Sequence, residues 1–396
     1  MSAYFHSYLC GRKAAEWLID MKNGKLQIGI IGCGGIANGK HLPALSKLPQ
    51  LCDLAAFCDI IPERAEKAKA AYGMPNAKTY SDYRELLKDE TIDVVHVLTP
   101  NVLHCPITVA AFAAGKNVMC EKPMASSSAD AQAMLDAWRQ SGKKFTIGYQ
   151  NRFRPEVQAL YKACRKGELG EIYYAKALAT RRRAVPTWGV FPNKALQGGG
   201  PLIDIGTHAL DMTLWMMDNY APQSVKGSVF YKLGHLPQAT EGNAFGPWDP
   251  ETYEVEDSAF GMIRMADGST INLEASWALN YLDSREASTT LCGTLAGAEI
   301  RSGMSYEKDA LIYNRGNNGI LTEEHMVGGG GVAFFEGAFG DPGYEEAKQW
   351  LLAILNDTEP LVKPEQAFTV TWILEAIYQS GETGREVILD HEEAAR

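Results

Sequence analysis

The sequence predicts an α/β domain built on a doubly wound parallel sheet, followed by an α+β domain with mainly antiparallel strands. Three observations carry this expectation. Short apolar runs alternate with helical stretches from Lys25 to Tyr149, the pattern of parallel strands covered on both faces. Gly32-Cys33-Gly34-Gly35-Ile36-Ala37 joins the first run to the first helix. After Asn151 the runs lengthen and mix polar with apolar residues, as strands do when one face stays wet.

Residues 1–24 fit no pattern beyond a short helical stretch from Lys13 to Met21, and are expected to be an N-terminal extension or the mark of an upstream start. The first domain is expected over residues 25–148. Its strands are Leu26 to Ile31, Leu54 to Asp59, Val94 to Leu98, Asn117 to Cys120 and Phe145 to Tyr149. Helices are expected over Pro62 to Tyr72, Pro106 to Ala114 and Ser127 to Ser141, the last with a serine cap and Gly142 as its stop. The second domain, 149–396, carries strands at Ile172 to Thr180, Ser258 to Met265 and Ser269 to Ala278. Helices at Glu345 to Leu355 and Pro364 to Gln379 end it, and Gly328 to Gly331 reads as a mobile loop.

Composition bounds the function. The 396 residues are 46% hydrophobic and 22% charged, enough for two cored domains and too apolar for disorder. A formal net charge of -10 argues against nucleic acid or an anionic membrane surface, and Arg181-Arg182-Arg183 is too short a run to reverse that. Eight cysteines include Cys33, Cys52, Cys58, Cys105 and Cys120 in or beside apolar runs, with no Cys-x-x-Cys pair. They read as reduced, buried thiols of a cytoplasmic protein. No run approaches the roughly 20 apolar residues of a membrane span, and the first residues lack a leader pattern.

The chemistry concentrates in four places. In Gly32-x-Gly34-x-x-Ala37 the first glycine permits a tight turn and the second admits a pyrophosphate. The amides at Gly34, Gly35 and Ile36 then open a helix whose positive end faces the phosphates. Asp59 ends the second strand and can accept both ribose hydroxyls, which favours NAD over NADP, and Arg64 can stack on adenine. Thr99-Pro100-Asn101 with His104 leaves a strand at the carboxyl edge of the sheet, where doubly wound folds bind ligands; Asn101 can hydrogen-bond a cofactor, and His104 reads equally as a cofactor contact or as a buried structural histidine. Glu121-Lys122-Pro123 follows a strand with an acid and an amine placed to meet a nicotinamide, its ribose and a substrate hydroxyl.

The last place is Gly198-Gly199-Gly200-Pro201-Leu202-Ile203-Asp204-Ile205-Gly206-Thr207-His208. Pro201 suits a first helical turn, so Asp204 and His208 share a helical face. A carboxylate beside an imidazole is expected to fix its tautomer and raise its basicity, fitting it to take a proton from an alcohol. A polar stripe on a solvated helix would carry the same spacing. Asp-x-x-x-His also suits a metal, but no third ligand stands at a persuasive spacing, and none is expected.

Together with Gly148-Tyr149-Gln150-Asn151-Arg152-Phe153-Arg154-Pro155, these motifs resemble the glucose-fructose oxidoreductase / inositol dehydrogenase / rhizopine-catabolism (Gfo/Idh/MocA) family from about Lys25 to the C-terminal helices. The resemblance implies an α/β Rossmann domain followed by an α+β domain with an open-faced, mainly antiparallel sheet, a site between the two, and homo-oligomers packed through that sheet face, which fits apolar residues on both faces of Ile172 to Thr180. It implies that Lys122, Asp204 and His208 are the catalytic trio. Gln150 joins the expected cofactor contacts, while Arg152, Arg182, Trp188 and Tyr281 are expected to touch a sugar. The stretch from Arg181 to Phe191 is similar to members that oxidise glycosides at C3.

The expected reaction is NAD-dependent oxidation of a secondary hydroxyl on a sugar, cyclitol or glycoside. Two rivals share the residues. One is a glycoside-cleaving enzyme that recycles tightly held NAD through oxidation and elimination; the other is a non-catalytic NAD-binding regulator.

Overall fold

The computed structural model of the protein describes residues 24–302, 310–327 and 341–390. Residues 1–23 of the expected extension and the glycine run from Gly328 to Gly331 lie outside them. The apolar runs of the first domain form six strands: β1 (Leu26–Ile31), β2 (Cys52–Cys58), β3 (Lys78–Tyr80), β4 (Val94–Val97), β5 (Asn117–Cys120) and β6 (Phe145–Ile147). All pair in parallel, in the order β3-β2-β1-β4-β5-β6. Every residue of β4 is buried, as a central strand with helices on both faces requires. Because the order reverses between β1 and β4, the connections that leave their carboxyl ends run to opposite faces of the sheet and leave a crevice between them.

Local signals act as expected. Ser127 accepts a hydrogen bond from the Asp130 amide and starts Ser128–Ser141, which ends at Gly142 with φ of 64°. β3 and the helix Tyr83–Leu87 had no counterpart in the sequence reading. Three residues, Lys78 exposed and Thr79 and Tyr80 half-buried, give a strand too little periodicity to read.

Among the described residues the second sheet has nine strands in the order β14-β13-β12-β11-β7-β10-β9-β8-β15. They are β7 (Ile172–Thr180), β8 (Pro222–Phe230), β9 (Ser258–Met265), β10 (Thr270–Ser276), β11 (Arg285–Gly293), β12 (Ala296–Arg301), β13 (Ala310–Asn317), β14 (Ile320–Val327) and β15 (Val387–Ile388). Among these strands only β7 and β10 pair in parallel; the other neighbours are antiparallel. The helix Thr207–Met217 packs on β7 and β11, and Pro364–Thr383 packs on β8. Along β7 the small residues Ala175, Ala177 and Ala179 are fully buried, so strand alternation turns Tyr174, Lys176 and Leu178 to the other face.

The helix Pro342–Leu355 returns to the first domain. Its Ala347, Trp350, Leu351 and Leu355 join the core around Ile28, Ile30, Leu42 and Leu45. Full burial of such side chains stabilises by roughly 1.5–3 kcal/mol each, enough to fix this helix against the parallel sheet.

Candidate active site

The loops after β1, β2, β4 and β5 all leave the carboxyl edge of the parallel sheet. Gly32 has φ of 95°, and a Cβ there would stand 2.5 Å from the Leu98 carbonyl oxygen, so only glycine lets β1 turn this close to β4. A Cβ on Gly34 or Gly35 would meet nothing within 4 Å. That open space, together with first-turn amides that have no partner inside the helix, fits a pyrophosphate. Ile36 is exposed beside it.

Asp59 is buried directly after β2. Its Oδ2 accepts from the Cys33 amide at 2.9 Å and its Oδ1 from the Ile61 amide at 2.9 Å. The carboxylate thus braces the glycine turn, and each oxygen keeps a further lone pair for a ribose hydroxyl. Arg64 is exposed in the first turn of Pro62–Tyr72. Thr99 Oγ1 is buried with no partner among the described residues. Pro100 caps the short turn Asn101–Leu103, and Asn101 donates through Nδ2 to the Gln197 carbonyl at 2.9 Å, tying this loop to the second domain.

Lys122 crosses the cleft. Its Nζ donates to Asp204 Oδ1 and to the Asp204 carbonyl, both at 2.9 Å, with side chains 15% and 14% exposed. Asp204 lies in a π-helical turn, Leu202–Gly206, that runs into Thr207–Met217. The wider i→i+5 turn replaces the α-helical start expected after Pro201. Glu256 holds that start in place, accepting from the amides of Gly200 at 2.8 Å and Leu202 at 3.1 Å. A Cβ on Gly200 would stand 2.3 Å from the Glu256 carbonyl oxygen, and one on Gly199 would stand 2.1 Å from the Tyr378 hydroxyl.

The expected pairing of Asp204 with His208 is corrected. Asp204 spends Oδ1 on Lys122 and accepts from Trp277 Nε1 through Oδ2 at 3.2 Å. Burial alone would push this carboxyl up, yet Lys122 and Arg181 hold it below the ordinary carboxylate range. His208 is not made more basic. Burial, followed by the charge on Lys122, pushes its imidazole down to about 3, so the ring is neutral. Its Nδ1 is buried without a partner among the described residues. The ring stands edge-on to Tyr149 at 6.2 Å, and Tyr149 in turn shares a 2.8 Å hydrogen bond with Thr207.

Two further expectations are overturned. Glu121 does not face an open ribose site: it is 4% exposed, with Lys40, His41 and the Lys122 amide as its donors. Of the two readings of His104, the structure favours the structural one: the ring is fully buried, its nitrogens 2.8 Å from the Pro123 carbonyl and 3.0 Å from the Thr99 carbonyl, so it ties two loops together. Arg152 is also fully buried and forks onto Asp211, with Nε 2.9 Å from Oδ2, and it donates to Gln366. No donor face is left for a sugar. Gln150 stands 3.2 Å from the Lys40 ammonium through its Oε1.

The other expected sugar contacts remain at the surface. Arg182 and Tyr281 line an open cavity of about 500 Å³ with Asn280, Leu282 and Asp283. Trp188 is half-exposed and sits edge-on to Phe245 at 4.8 Å and to Phe191 at 5.9 Å; Phe191 meets Trp277 at 6.2 Å. Edge-to-face rings thus run from the Asp204 carboxylate outward to solvent.

Trp277, Arg181, Glu256 and the Lys40 cluster were missed by sequence reasoning. Trp277 sits in a stretch read only as a strand end, and Lys40 and His41 adjoin the glycine fingerprint as an ordinary polar helix start. Among the described residues no group of three or more His, Cys, Asp or Glu is placed to hold a metal.

A family model described as the oxidoreductase family, NAD-binding Rossmann fold, matches residues 26–149, and a GFO/IDH/MocA C-terminal domain model matches residues 157–299. The chain is 36% identical over 369 residues to the D-glucoside 3-dehydrogenase of Escherichia coli strain K12, covering 93% of this chain and 99% of the relative. Among solved structures, the aldose-aldose oxidoreductase from Caulobacter crescentus, complexed with glycerol, superposes with a TM-score of 0.75 at 27% identity, covering 92% of this chain and 100% of that one. A levoglucosan dehydrogenase complex with NADH and levoglucosan reaches a TM-score of 0.78 at 23% identity, covering 93% of this chain and 100% of that one, a likeness of fold.

Proposed function

The chain belongs to the Gfo/Idh/MocA family of NAD-binding oxidoreductases, and from that premise we propose that it oxidises a secondary hydroxyl of a glycoside, at C3 of the glycosyl ring. One observation carries the chemistry. The Lys122 ammonium, delivered by the parallel-sheet domain, meets the Asp204 carboxylate, and its charge helps keep His208 neutral across the cleft.

Gly32, Gly34, Gly35 and the helix start at Ile36 would hold the pyrophosphate, Asp59 the adenosine ribose, and Thr99 the neighbouring part of NAD. When bound, NAD supplies the hydride acceptor. The chain's own work is proton and charge control. Lys122 donates a hydrogen bond to the reacting hydroxyl and stabilises the alkoxide as it forms. His208, neutral throughout the working range, accepts the hydroxyl proton at Nε2. Asp204 keeps Lys122 aimed and offsets its charge. The same lysine that stabilises alkoxide also weakens His208 as a base, so hydroxyl ionisation depends on both groups acting on one oxygen.

Arg182 and Tyr281 supply polar and ring contacts at the cavity wall, and the half-exposed Trp188 offers a face for a sugar. Assembly through the outer face of the nine-stranded sheet is part of this reading. Phe230 and Met262 are 38% and 53% exposed there, and sedimentation velocity reads the oligomer directly. The seven cysteines among the described residues are free, in keeping with a cytoplasmic setting. No helix among the described residues is long and apolar enough to cross a membrane.

The deciding assay incubates NAD with methyl and aryl glucosides and follows both NADH and sugar products. NADH released in step with a keto-glycoside supports the dehydrogenase. Cleavage of the glycoside without NADH release would replace it with the oxidation and elimination cycle, and inertness on every sugar would favour the regulator.

A further inference from the structure

A buried ionic cluster lies behind the Lys122 loop, and its outer members take no part in the proposed reaction. Lys40 stands in the π-helical segment Ala37–His41. Its ammonium is 2.7 Å from Glu121 Oε1, 2.8 Å from Glu346 Oε2 and 3.2 Å from Gln150 Oε1. An ammonium has three N–H donors, and each finds an acceptor here on a different element: the end of β5, the helix Pro342–Leu355, and the turn Gln150–Phe153. The side chains of Lys40, Glu121 and Glu346 are 10%, 5% and 4% exposed. Taking such charges out of water costs several kcal/mol per ion before pairing, so the arrangement is expensive compared with apolar packing.

Glu121 connects this cluster to the reacting amine. Its Oε1 also lies 2.8 Å from His41 Nε2, and the His41 ring meets His96 at 3.1 Å. Its Oε2 accepts the Lys122 backbone amide at 3.1 Å. The loop leaves the carboxylate no slack, since even a Cβ on Gly148 would stand 3.0 Å from Glu121 Oε1. A continuous series therefore runs from Glu346 to Lys40, to Glu121, to the Lys122 amide, and along that side chain to Asp204.

We propose that Lys40 and Glu346 are positioning residues for Lys122, so that the C-terminal helix Pro342–Leu355 sets the aim of the reacting ammonium from the far side of its loop. The proposal rests on the reading of Lys122 as the hydroxyl-binding lysine. It assigns Glu121 to the same task, as the link between the cluster and the loop.

The test compares Lys40→Met, Glu346→Leu and Glu346→Gln with the wild type for thermal midpoint, NADH binding by fluorescence, and kcat and KM on a glucoside. Misaiming by an ångström costs about 100-fold in rate, so Lys40→Met is expected to lose about that factor in kcat while NADH affinity stays within about threefold. Glu346→Leu loses kcat in the same way, and Glu346→Gln, which keeps an acceptor for Lys40, recovers most of it. A folded Lys40→Met with wild-type kcat overturns the proposal, as does a Glu346→Gln as impaired as Glu346→Leu. A wild type inert on sugars would sink the proposed activity instead. The aim of Lys122 is then read by its rate of labelling with pyridoxal phosphate and borohydride. Faster labelling in Lys40→Met supports the positioning role; an unchanged rate refutes it.

Discussion

Replacing Arg152 by Met tests whether this residue belongs to the core or to a sugar. The guanidinium is fully buried, is held by both Asp211 oxygens and donates to Gln366. Burial alone would lower its basicity, and the Asp211 carboxylate reverses that and keeps it charged. Met fills much of the stem's volume but strands Asp211 and an amide oxygen in a dry interior. Breaking one side of a buried pair costs about 3–5 kcal/mol, whereas replacing both sides with apolar groups comes near neutral. Urea denaturation followed by fluorescence should show a large drop in midpoint for Arg152→Met, and partial recovery when Asp211→Leu is added. An unchanged midpoint with a raised KM for sugar would refute the reasoning and return Arg152 to the substrate site.

His208 is held at about 3 by burial and by Lys122, so it enters every cycle as a free base. The acid limb of kcat/KM should fall well below the ordinary imidazole value, and a limb centred on 6.5 would contradict a neutral ring. Glu346 is pushed up from 4.5 to about 7 by burial, with Lys40 pulling it down and Glu121 pushing it up; His41 adjoins both. A raised folded value stabilises fully below 4.5 and the contribution is lost as pH rises through 7, a difference of about 3 kcal/mol. Denaturation of Glu346→Gln and the wild type at both ends of that window should show the variant gaining at high pH, and parallel pH profiles would refute it. Asp59→Ser removes a charged acceptor worth about 1.5–3 kcal/mol, so kcat/KM for NAD should fall roughly 10- to 100-fold with little change for NADP; an unaltered cofactor preference would exclude the assigned ribose contact.

The parts legible in the sequence are those whose cause is local. A glycine with positive φ, a serine cap and a run such as Val94-Val95-His96-Val97 leave marks within a few residues. So do Lys122 and Asp204, each announced by its neighbours and then brought together across the cleft. What failed were inferences about partners. Asp204 stands near His208 in sequence, but its bonds go to Lys122 and Trp277, because the π-helical turn and β10 decide what surrounds it. Arg152 and Glu121 look like ligand groups in isolation; their acceptors and donors, Asp211 and Lys40, lie 59 and 81 residues away. β3 and the helix Tyr83–Leu87 escaped because so few residues carry so little periodicity.

The central claim is hydride removal from a sugar carbon under the control of Lys122. Methyl glucoside deuterated at C3, incubated with NAD and the wild type, should yield NADH one mass unit heavier together with the 3-keto product, and Lys122→Met should yield neither. Unlabelled NADH, or labelled NADH from Lys122→Met at the wild-type rate, would contradict the account.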